Sequence, residues 1–194
     1  MDELKAFLEL TTMLVTDPRI VVLFCLLGYA VVSDVRSHRI PNRLVLAGLG
    51  FGFIYSAFVP FWGHHGFLWA LGGAAIGFGV LFPLWLLRMM GAGDVKLMAM
   101  VGSLLGVDAV PAALAATLIA GAVFSVGFAA RRGKLRQMLA NVGRILRIGS
   151  FAVATGGPVS AAANGWESVG KMAFAVPIAT GTVGAVLARH FGFL

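Results

Sequence analysis

The sequence predicts an all-α membrane protein, a polytopic bundle of about six transmembrane helices with a short fourth helix. Three observations predict it. Hydrophobic residues make up 59% of the 194-residue chain, charged residues only 12%, and the mean hydropathy is +0.93. Those values lie outside the range of soluble domains. The apolar runs are continuous rather than alternating, which argues against a strand-period outer-membrane barrel. The basic residues collect in the loops between the runs, where topology signals belong. The 26 glycines fit the same picture, because small residues let transmembrane helices approach closely.

The chain reads as a single integral-membrane domain over 1–194. Residues 1–19 form an outer interfacial segment: Leu4 to Val15 is amphipathic, and Asp17-Pro18 breaks it. Asp2, Glu3 and Glu9 oppose a positive leader region, so no cleavable signal peptide is expected. Ile20 to Val35 is the first span. It is short for a bilayer core of ~30 Å at ~1.5 Å per residue, so its ends should enter the headgroup region. A polar loop follows from Asp34 to Arg43. Leu44 to Trp62 is the second span, and the turn Gly63-His64-His65-Gly66 carries no Lys or Arg. Phe67 to Leu87 is the third span, and Arg88 to Lys96 the next loop.

Leu97 to Ala130 is one apolar stretch interrupted by Gly106, Asp108 and Pro111. It reads as a hairpin of two helices. The first arm, ending near Val107, is too short to cross a bilayer straight. It is either partly re-entrant or surrounded by neighbouring helices. Residues 20–130 thus carry five helices. Residues 131–170 form a basic amphipathic cytoplasmic segment. Leu135, Met138, Leu139, Val142, Ile145 and Leu146 share one helical face, with Lys134, Arg136, Arg144 and Arg147 around the rest. Such a helix is expected to rest on anionic lipids. Ser150 to Glu167 is rich in Gly, Ala and Ser. Residues 171–194 hold the last span, Met172 to Ala188, with a kink expected at Pro177.

Charge sets the orientation. Twelve of the fifteen Lys and Arg residues fall on one side, which is therefore cytoplasmic; Lys5, Arg19 and Arg189 fall on the other. The net charge of +7 thus reads as topology, and no nucleic-acid partner is expected. Cys25 is the only cysteine, so neither an internal disulfide nor a cysteine-based metal site can form. His64 and His65 lack partner ligands and read as solvated loop residues. No metal and no cofactor is expected. His38 reads as a surface histidine, Asp108 as a turn residue, and Trp62, Trp69 and Trp166 as interfacial anchors.

Two of the eight acidic residues stand apart. Asp34 and Asp94 each lie at the edge of an apolar stretch beside basic residues, where a carboxylate is costly unless solvated, paired or used. Two spans separate them, so both belong to the cytoplasmic surface. Asp34 ends the first helix and Asp94 begins the fourth. A close pair shares a titration, one member keeping its proton. The ionised member can then activate water while the protonated one polarises a carbonyl, as in aspartic proteolysis. A helix N-terminus favours an anion, and Lys96 lies nearby in sequence, which favours the charge on Asp94; Arg36 and Arg39 beside Asp34 favour the reverse, so the sequence leaves open which member keeps the proton. The same carboxylates fit a small proton-coupled transporter, and the chain also fits a non-catalytic assembly factor of a pilus or secretion system.

The flanks narrow the choice. Gly91-x-Gly93-Asp94-x-Lys96-Leu97, with Asp34-x-Arg36-x-x-x-Ile40-Pro41-Asn42, resembles the type IV prepilin peptidase family. It looks most like the short form found with Flp (tight-adherence) pilus systems. The resemblance covers about residues 20 to 130 and is weaker in the tail. It implies a membrane-embedded aspartic endopeptidase of the bacterial inner membrane, with its active site facing the cytoplasm. The substrate would be a prepilin, cut after a glycine that ends its basic leader. Asp34 and Asp94 match the catalytic pair. Gly91, Gly93, Lys96, Arg36, Arg39, Ile40, Pro41 and Asn42 would support the motifs or position substrate. Relatives that also methylate the new N-terminus carry a long insert with cysteine pairs. This chain has neither, so the peptidase is expected without that metal site and methylation is not assigned.

Overall fold

A computed structural model describes residues 18–59, 66–87, 89–143 and 172–193. Among the described residues all regular structure is helical. Helix α1 is Pro18–Ser37, α2 is Asn42–Phe58, α3 is Phe67–Leu86 and α4 is Ala92–Arg131. Residues 135–143 form α5, and α6 is Ala175–His190. Helices α1, α3 and α4 are long and apolar enough to cross a membrane, and α2 is a shorter apolar helix.

Helix ends depart from the apolar runs for local reasons. Pro18 starts α1, its fixed φ suiting the first helical position. At the other end the backbone stays helical through Asp34, Arg36 and Ser37, although hydropathy falls there. Helix α2 ends at Phe58, before Trp62, because Val59 turns extended (φ −120°, ψ 120°). The expected loop up to Lys96 is shorter, since α4 begins at Ala92. Pro177 does not kink α6. It lies in the first turn, after the N-cap Phe174, where a missing N–H costs nothing.

Helix α4 contains 40 residues, which would span about 60 Å if straight. Its two ends instead lie at the same end of the bundle. Asp94 interacts electrostatically with Asp34, while Arg131 lines a groove with Val35. The reversal is at Gly106, whose φ is 74°. A Cβ there would also collide with the Trp69 indole, so glycine is needed twice over. The stretch is therefore a hairpin, as its length and breakers predict. Every residue from Leu97 to Gly106 in the first arm is buried. Of the two expectations for this arm, enclosure by neighbours is the one observed.

The first arm is the axis of the core. Leu97, Met98, Met100 and Leu104 pack with Ile20, Leu23 and Leu27 of α1, Leu81 of α3 and Ile178 of α6. Helix α3 runs antiparallel to the first arm with Gly73 directly against the Gly102 backbone. Such backbone contact needs small residues on both sides.

The end opposite Asp34 is closed by Arg19, a residue that charge counting treats only as a topology signal. Arg19 is 1% exposed. Its guanidinium donates to the Leu104 carbonyl at 3.3 Å and the Val59 carbonyl at 3.1 Å. It also lies 5.2 Å from the Tyr55 ring centroid and 5.6 Å from that of Trp69. Val59 is the C-cap of α2 and Leu104 lies two residues before the break at Gly106, positions where a helix end leaves carbonyls to be satisfied from outside. Trp69 Nε1 donates to Asp108 Oδ2 at 2.7 Å, so Asp108 serves the hairpin turn.

Leu135, Leu139 and Val142 of α5 are exposed. The rest of the amphipathic segment, Leu4 to Val15, Trp62, His64, His65, Ser150 to Glu167 and Trp166 lie outside the described residues.

Candidate active site

Four local features bring the Asp34 motif to the Asp94 motif. The His38 amide donates to the Asp34 carbonyl at 2.8 Å, and His38 then takes a left-handed φ of 50°. That conformation ends α1 as an αL cap does. The Ser33 hydroxyl donates to the Arg39 carbonyl at 2.8 Å and folds the loop back against the helix. Pro41, extended at ψ 129°, forms the N-cap of α2, and its carbonyl accepts the Leu44 amide at 3.1 Å. Ile40 and Asn42 consequently face the start of α4.

Two contacts join the motifs there. Gly93 packs on Ile40 so closely that a Cβ would come within 3.3 Å of the Ile40 side chain. Lys96 Nζ donates to Asn42 Oδ1 at 3.2 Å. Lys96 therefore engages the other motif rather than Asp94.

Asp34 and Asp94 are 6% and 8% exposed, and they lie within each other's electrostatic reach. Each has one oxygen held by a backbone amide. Asp94 Oδ2 accepts from the Gly91 N–H at 3.1 Å. Asp34 Oδ2 accepts from the Ala175 N–H at 3.0 Å. Among the described residues, the Oδ1 atoms accept no hydrogen bond. One oxygen of each carboxylate is thus held in place by a backbone amide. The cradle supplies hydrogen-bond donors to buried carboxylates, as such groups require.

The Ala175 amide is the part of the site that the sequence reading misses. It is the first residue of α6, so a helix N-terminus meets Asp34 as well as Asp94. The difference expected from each aspartate's own helix end is therefore offset. Pro177 carried the signal, since a proline in an apolar run can mark a helix start.

The remaining candidates divide. Ile40, Pro41, Asn42, Gly91, Gly93 and Lys96 belong to the joined loop ends and helix starts beside the carboxylates. Arg36 and Arg39 are exposed; Arg39 contributes its backbone carbonyl to the loop. Among the described residues no group of His, Cys, Asp and Glu is arranged to hold a metal ion.

Comparison with known proteins places this arrangement in context. A family model described as the type IV leader peptidase family matches residues 21–126. That segment contains both aspartates and every other candidate residue, and it is more than half of the 194-residue chain. Searches of curated proteins and of solved structures found no match.

Proposed function

Because the chain belongs to the type IV leader peptidase family, we propose that it is a membrane-embedded aspartic endopeptidase acting on Flp-like type IV prepilins. It removes the basic leader at the cytoplasmic face of the bacterial inner membrane, with Asp34 and Asp94 as the catalytic pair. One observation carries this reading: two buried carboxylates from different helices interact, each anchored through one oxygen.

The chemistry needs one proton shared by the pair. The ionised carboxylate removes a proton from water as that water attacks the scissile carbonyl carbon. The protonated carboxyl donates to the carbonyl oxygen, giving a tetrahedral diol. The carboxyl that took the water proton then passes it to the amide nitrogen while the other carboxylate takes back a proton from a diol hydroxyl, so the C–N bond breaks, the amine and acid leave, and the pair returns to its starting state. The Ala175 and Gly91 amides hold the carboxylates without reorganisation during these steps.

The bundle crosses the membrane six times in this reading, with both arms of α4 counted. The basic residues after α1, α2's start and α4's end then face the cytoplasm. The apolar face of α5 rests on anionic lipid. A substrate whose leader lies in the cytoplasm and whose apolar helix lies in the membrane presents its scissile bond at the depth of the carboxylates.

The test is leader removal from a Flp-like prepilin by the purified protein in liposomes. Asp34→Asn and Asp94→Asn should each lower the rate by about 10²–10⁴-fold or more while melting like the parent. Wild-type cleavage by either variant overturns the assignment. Ion flux without cleavage would instead support a transporter.

A further inference from the structure

Beside Asp34 runs a groove of about 610 Å³, bounded by the end of α1, the second arm of α4 and the start of α6. Val35, Val123, Phe124, Val176 and Pro177 wall it, and His38, Arg131 and Arg132 stand at its mouth. Its wall is one residue along the chain from the carboxylate site on two helices. Val35 follows Asp34 in the chain, and Val176 follows Ala175, whose amide holds Asp34. The Arg132 guanidinium packs 4.3 Å from the Phe128 ring centroid, which keeps its charge at the mouth. Gly127 also lines the groove, and a Cβ built on it meets nothing within 4 Å.

Resting on the peptidase reading, we propose that this groove receives the apolar segment of the substrate that follows the scissile bond. Charge selects that part of the substrate. A basic leader is repelled by Arg131 and Arg132, whereas an apolar helix packs on valine, phenylalanine and proline walls. Glycine in the lining lets a second helix come close, which is how helices associate in lipid. A segment seated there has its cytoplasmic end beside Asp34, so the leader leaves on the far side of the carboxylates.

Two measurements test the proposal. Gly127→Leu fills the groove from a position with space for the side chain, and it improves helix propensity. It should raise KM for prepilin at least about tenfold and leave the melting temperature unchanged or higher. An unchanged KM overturns the groove and leaves the peptidase standing; absence of cleavage by the wild-type protein overturns both. In the second measurement, a photo-crosslinking residue replaces Val123 in the Asp94→Asn protein, in liposomes with prepilin. Adducts on the apolar segment are expected, and Gly127→Leu should reduce them. Adducts on the leader, on lipid alone, or none at all overturn the proposal, whatever the fold of the Gly127→Leu variant.

Discussion

Asp34 takes its donor from a residue 141 positions away, whereas Asp94 takes its donor from Gly91, three positions back. The difference explains what the sequence reveals at this scale. A capping contact within Gly91-x-Gly93-Asp94 is local and visible in a motif. The contact from Ala175 depends on how α6 docks, and no spacing encodes that. The same holds for Lys96, which reads as a neighbour of Asp94 and instead donates to Asn42 Oδ1 at 3.2 Å. That bond is exposed, so its contribution should be modest. Lys96→Ala and Asn42→Ala should each lower kcat/KM, and the double variant should be no worse than the weaker single. The expected coupling is about 0.5–1.5 kcal/mol. Independent, multiplying losses in the double-mutant cycle would show that the two side chains do not act together.

At the scale of elements, hydropathy finds the helices and misjudges their ends. The hairpin in α4 was legible because an apolar stretch of that length cannot be a single span, and Gly106, Asp108 and Pro111 mark its break. The start of α6 was not, because proline in an apolar run is compatible with a kink or a start. Arg19 carries a second role that charge counting does not reach. A cation near a span end usually marks topology, but this one satisfies the carbonyls of Leu104 and Val59. The contact between α3 and the first arm of α4 leads to a stability prediction. Gly73 and Gly102 meet backbone to backbone, and a Cβ on either would enter the partner helix. Gly102→Leu should destabilise the bundle by about 1–3 kcal/mol or more, read as a lower melting temperature in detergent. It should also reduce cleavage, because the same arm carries Asp94. Unchanged melting would show that the two helices are not packed this closely.

For the whole molecule, the important consequence is parity. Two spans between the aspartates predict that both lie on one side, and the chain brings them together from α1 and α4. The first arm of α4, buried from Leu97 to Gly106, gives Asp94 a rigid base, while α1 and α6 together hold Asp34. Catalysis by such a pair belongs to neither residue alone, because the proton is shared. The most direct measurement is therefore single-turnover cleavage of prepilin by wild type, Asp34→Asn, Asp94→Asn and the double variant in the same liposomes. The account predicts that both single variants and the double variant fall to the same residual rate, as groups acting as one unit do. Losses that multiply in the double variant, or a single variant that still cuts at the parental rate, would contradict it.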